Sequence, residues 1–175
     1  MLALVFDGPA PDAGATRVAD IPMPEPGLGE VTIDVAYAGV NFIDVMARRG
    51  DAGYVSRWPF VPGLEVAGTV RELGPGIDGL TPGTRVAAFA GHGGLADVAL
   101  ASALLVAPVP DRVPLSHAAA AGGALTTSAL LLEHVARVRD GEVVLVHSAG
   151  GGVSQALAQL GSSPGSWRAR RPTGW

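Results

Sequence analysis

Apolar and polar positions alternate with a period of two through most of the first hundred residues, and the spacing then becomes helical. Residues 30–38, EVTIDVAYA, set Val31, Ile33, Val35 and Tyr37 against Thr32, Asp34 and Ala36, the pattern of a half-buried strand. Residues 2–6 (LALVF), 65–73 (EVAGTVREL), 86–90 (VAAFA), 95–100 and 104–109 read as further short strands, parted by turns rich in Gly, Pro and Asp. Residues 21–29, IPMPEPGLG, are extended, because their three prolines forbid helix and ladder pairing. A short helix is expected over 44–49, ended by Gly50. Short strands at this spacing suggest a small barrel or sandwich.

Beyond Ser116 the period changes. Residues 116–121 look like a capped first turn, and residues 127–138, TSALLLEHVARV, put Leu130, Leu131, His134, Val135 and Val138 near one helical face. Asp140 and Gly141 end that helix. An apolar, mostly β-branched run, Val143, Val144, Leu145 and Val146, follows and passes through His147 into Gly150, Gly151 and Gly152, after which apolar residues recur as on a helix. This reads as strand, glycine turn, helix. Such a turn lets backbone N–H groups approach a phosphate, and the partial positive charge at the helix start favours the anion. The acidic residue expected about 20 positions further on, to hold a ribose hydroxyl, has no place before Trp175. At Gly161 composition and pattern change together: residues 161–175 carry two of the three Trp and three of the 12 Arg without apolar period. They are expected as an atypical tail, the mark of an out-of-frame ending.

Composition narrows the class. A hydrophobic fraction of 48% with 16% charged residues excludes disorder for most of the chain. A net charge of −4 carries no basic face and argues against nucleic acid as a partner. Without cysteine there is neither a disulfide framework nor a thiolate zinc site. The start, MLALVFDGPA, lacks the basic and long apolar regions of a leader, and no apolar run reads as long enough to cross a bilayer, so no membrane partner and a cytoplasmic location are expected.

The motifs GVNFID (39–44), PFVPGLEVAGTV (59–70), GTRV (83–86), GGLADVA (93–99), ALTTSALLL (124–132) and VLVHSAGGGV (144–153), in this order, resemble the medium-chain dehydrogenase/reductase superfamily. Within it they look like the zinc-independent quinone oxidoreductase branch, relatives of zeta-crystallin and of polyketide enoyl reductase domains. The resemblance implies a mainly β fold with some α. A GroES-like partial β-barrel over residues 1–123 would lead into the first strand-turn-helix of a truncated Rossmann fold over 124–160. It also implies NADPH as cofactor, a small apolar carbonyl or quinone as substrate, and a homo-oligomer covering the exposed sheet edge. Asn41 and Thr126 would lie beside the nicotinamide, Tyr54 would border the cleft, and Gly150, Gly151, Gly152, Val153 and Ser154 would form the phosphate turn. Ser154 stands where relatives usually carry Gly, so its hydroxyl is expected either to widen the helix-strand contact or to point at phosphate. Zinc-dependent members place Cys at Asn41 and His at Leu64, so no metal is expected.

Plainer readings accompany each residue. Asn41 could cap the helix that carries Asp44, Thr126 could cap the helix from Thr127, and Tyr54 could pack beside Trp58. Asp44 and Arg48 could pair with each other, and Glu65 could accept hydrogen bonds inside its domain. His92, His117, His134 and His147 are scattered along the chain. Two other functions fit the same residues: a cofactor-free domain doing non-redox work, such as cyclisation or isomerisation of a polyketide-like substrate, and a noncatalytic binding module.

Overall fold

The computed structural model describes residues 1–139 and 141–162. The chain divides into two compact units, one from Met1 to Gly122 and one from Gly123 onward.

In the first unit β1 (Leu2–Phe6) and β2 (Thr16–Asp20) form an antiparallel pair. A five-stranded antiparallel sheet runs in the order β6-β3-β4-β5-β7. Its members are β3 (Glu30–Gly39), β4 (Glu65–Leu73), β5 (Arg85–Phe89), β6 (Val98–Ser102) and β7 (Val106–Pro108). Val31, Ile33, Val66, Val70, Val86, Ala99 and Ala101 make its core, so the alternating residues of four strands meet as the period of two predicts. Pro108 is tolerated because β7 is an edge.

Three expectations for this unit need correction. The strand expected over 104–109 is shorter, because Ala103–Leu105 form a 3-10 turn with Leu104 94% exposed and only Val106–Pro108 pair, with β5. Tyr37, expected on the apolar face with Val31 and Ile33, is 53% exposed, because the register of β3 against β4 shifts between Val35 and Tyr37 and turns the strand over. The strand β2 was not expected at all. Its five residues leave Arg17 and Val18 exposed, and pairing with β1, not local pattern, makes it a strand.

The Met1 ammonium donates to Asp20 Oδ1 at 2.8 Å and to the carbonyl of Ile21 at 2.9 Å, tying the ends of the hairpin together. That hydrogen bond, and then the charge behind it, hold the Asp20 carboxyl below its ordinary value. A depressed acid stabilises above its unfolded value and loses that contribution as the pH falls through the folded one. Asp20 is exposed and screened, so Asp20→Asn should cost little at neutral pH and nothing in high salt. Melting temperatures at low and high salt, from neutral to acid pH, check this.

Helix α1 (Phe42–Arg49) ends as expected at Gly50, whose φ of 77° lets its N–H return to the carbonyls of Ala47 and Met46. Trp58 packs edge-on against Phe60 at 6.4 Å.

Helix α2 (Leu115–Ala129) is continuous, not the two pieces expected from 116 and 127. Gly122 and Gly123 suggest a break, yet Gly122 is there for space: a Cβ would come within 2.9 Å of Glu65 Oε2. A π-helical turn, Leu130–Val135, follows. The wider turn changes which side chains are covered, so Leu132 is buried while Leu130 and Val135 are more than half exposed, contrary to the predicted face. Together Leu115–Val135 are 21 residues with a mean hydropathy of 1.3, enough by length and composition to cross a bilayer, which the linear pattern did not reveal. In the first unit Ala118 and Ala119 of this helix are buried against Ala67.

Residues 143–146 do not form the expected strand. Val143 and Leu145 are 81% and 76% exposed, and no ladder reaches them among the described residues. A strand exists only with a hydrogen-bonded neighbour, and an apolar run cannot supply one by itself. The run still leads through the glycines into α3 (Gly152–Ser162). The tail expected from Gly161 begins inside this helix, where Gly161 is buried, and residues 163–175 of it lie outside the described residues.

Candidate functional site

The first unit gathers the GVNFID and PGLE motifs into one cluster. Asn41 lies at the N-terminus of α1, half-buried, with extended backbone at φ −120° and ψ 162°. Its main-chain N–H donates to Asp44 Oδ2 at 2.8 Å, and its side-chain Nδ2 donates to Glu65 Oε1 at 2.7 Å. Asp44 Oδ1 also accepts the Gly63 N–H at 3.0 Å, so one buried carboxylate joins the start of α1 to the loop before β4. The domain-internal reading holds, since Glu65 accepts from Asn41; Asn41 stands at the N-cap position of α1, but its side chain makes no cap bond, and it is the Asp44 carboxylate that accepts the Asn41 main-chain N–H. The expected pairing of Asp44 with Arg48 is not formed. Arg48 reaches the carbonyl of Pro11 instead, since Asp44 already serves two backbone donors.

Glu65 is the residue whose role the pattern leaves open. It opens β4 at 4% exposure, opposite Gly39 on β3. A Cβ on Gly39 would overlap its carboxylate, and Gly122 vacates the opposite side. Tyr54 lies in the loop after α1, 38% exposed, and Trp58 turns to Phe60, so the expected packing of these two rings is replaced.

The second unit holds the other predicted residues. Thr126 is not an N-cap: it sits inside α2, exposed, because the helix begins eleven positions earlier at Leu115. At the glycine turn the Gly151 N–H donates to the carbonyl of Ser148, which has a φ of 56°. The Gln155 N–H takes the carbonyl of Gly151, leaving the N–H groups of Gly152, Val153 and Ser154 in the first helical turn without an intrahelical acceptor. Gly150 has open space where a side chain would stand. The Ser154 hydroxyl does neither thing expected of it; it donates to the carbonyl of His147 at 2.8 Å and clamps the turn from within. Ser128, fully buried, places its Oγ 2.7 Å from the carbonyl of Ala124 and 2.9 Å from that of Val153, fastening α2 to the start of α3.

A separate cavity of about 480 Å³ opens in the first unit between Ile21, Met23, His92, Val98 and Leu100, and no predicted site residue lines it.

An antiparallel β unit of this topology, followed by a glycine turn that opens a helix, is the construction of a GroES-like dehydrogenase domain leading into a nucleotide-binding fold. Residues 27–111 match the family described as the alcohol dehydrogenase GroES-like domain. The human synaptic vesicle membrane protein VAT-1 homolog-like is 44% identical over 141 residues, covering 81% of this chain and 34% of that protein. Rat quinone oxidoreductase is 35% identical over 148 residues, covering 84% of this chain and 45% of its own length. A mycobacterial protein solved in complex with NADPH superposes with a TM-score of 0.85 at 37% identity, over 93% of this chain and 50% of that one. Residues 27–111 carry the GroES-like domain of the alcohol dehydrogenases, the chain is similar to members of the medium-chain dehydrogenase/reductase superfamily, and it spans less than half the length of these two curated relatives.

Proposed function

We propose that the chain carries the substrate side and the phosphate turn of an NADPH-dependent reductase acting on quinones or activated enones. The observation that carries this reading is the turn at Gly150, Gly151 and Gly152. Three first-turn N–H groups stand without helical acceptors beside a residue with no neighbour in the way. Likeness to a protein solved with NADPH supports it.

The turn suits a pyrophosphate by the chemistry of its donors: Gly152, Val153 and Ser154 N–H groups, with the dipole of an eleven-residue helix behind them. When bound, the nicotinamide supplies the hydride. Asn41, its amide held at one end, would donate its remaining N–H to the reacting carbonyl, or accept an N–H of the nicotinamide carboxamide at its Oδ1. The hydroxyl of Tyr54, in the same unit as Asn41, would donate to developing negative charge on the substrate oxygen without ionising. Zinc does not fit this cluster: the chain has no cysteine, Leu64 is apolar, and the Asn41 amide is spent on a carboxylate.

Titrating NADPH against the purified chain tests the reading. Binding is expected, with amide exchange slowed at Gly150, Gly152, Val153 and Ser154. Failure to bind at about 1 mM cofactor, the upper end of ordinary KM values, would overturn it. The run 143–146, without a ladder among the described residues, favours a second reading, in which the cluster of Asn41 and Glu65 performs cofactor-free isomerisation or cyclisation. It predicts turnover of a polyketide-like enone with no NADPH present.

A further inference from the structure

Glu65 has no part in the hydride transfer just described, yet two segments are shaped around it. The end of β3 and the middle of α2 both carry glycine where any side chain would press on the carboxylate. Burying an acid to 4% exposure is costly unless its charge is answered by hydrogen bonds. One of those bonds runs from Asn41 Nδ2 at 2.7 Å, the short distance of a charge-assisted contact.

A carboxylate only accepts, whereas an amide has one accepting and one donating end that differ little in shape. With Nδ2 on Glu65, Asn41 cannot turn its amide over. Its main chain is pinned as well, by Asp44. We propose that Glu65 is a positioning residue: it fixes the polarity of the Asn41 amide and so decides which hydrogen bonds Asn41 offers a ligand. This rests on Asn41 facing cofactor or substrate, as proposed above.

Glu65→Gln tests it, because Gln keeps the volume that Gly39 and Gly122 leave but can accept from or donate to the amide. The side-chain ¹⁵N–¹H pair of Asn41, observed in the free chain, should show one displaced, exchange-protected proton. In the variant it should move to ordinary values and exchange faster. An ordinary Asn41 amide in the unmodified chain, or one unchanged by Glu65→Gln, would overturn the proposal whether or not NADPH binds. With cofactor, the variant should weaken NADPH affinity about tenfold, the scale of one hydrogen bond to a charged group. Asn41→Ala should weaken it as much, and the double variant should be no worse than Asn41→Ala alone. Additive losses accompanied by a lower melting temperature would mean that Glu65 serves only the fold. If NADPH fails to bind the unmodified chain, the hydride reading falls and the resonance alone decides the role of Glu65.

Discussion

Asn41→Asp is expected to destabilise the first unit by about 3 kcal/mol or more at neutral pH, far beyond what a one-atom change does on a surface. The substitution removes one donor to Glu65 and sets a second carboxylate 2.7 Å from the first, in a place where Glu65 is 4% exposed. Two carboxylates that close cannot both stay charged without cost. Urea midpoints at neutral pH measure it, and equal midpoints for variant and parent would refute the Asn41–Glu65 contact.

The second large effect is expected at Gly68, in the middle of β4. A Cβ there would collide with the carbonyl oxygen of Asp34 on β3 and lie 2.9 Å from its carbon and 3.2 Å from the Ala36 nitrogen. No side chain can swing aside, because every atom in the way is backbone of the neighbouring central strand. Relief would have to come from parting β3 and β4, whose pairing carries Val31, Ile33, Val66 and Val70. Gly68→Ala should cost about 3 kcal/mol or more and leave little folded protein. Gly8→Ala is the control: nothing lies within 4 Å of its Cβ, so the change should fall within about 0.5 kcal/mol. Chemical unfolding of both variants gives the comparison. A Gly68→Ala chain as stable as the control would refute the close approach of the two strands.

How far the chain could be read depended on the range of the forces involved. Helix α1 and its end at Gly50 were legible because a left-handed cap is local. The core of β3 and β4 was legible because alternation is local too. What escaped depended on a partner elsewhere in the chain. Tyr37 is turned outward by a register shift that only β4 imposes, and β2 exists because β1 is there to pair with it. Residues 143–146 have every intrinsic preference of a strand and no ladder among the described residues. At the candidate site the motifs located Asn41 and Asp44. The bond between Asn41 and Glu65 spans 24 positions, and no spacing rule could have paired them. The one clue was the pair of glycines, Gly39 and Gly122, whose reason becomes visible only beside the carboxylate.

The two ends of the chain are consequently held together by different means. The β unit closes with sheet ladders and a buried valine core, while the glycine turn is kept in shape largely by hydroxyls and one carboxamide, from Ser128, Ser154 and Gln155, gripping carbonyl oxygens. Water competes readily for such grips where they are exposed, so the turn can loosen while the sheet is still intact. A heat-denaturation curve dominated by the sheet would then be silent about the integrity of the glycine turn.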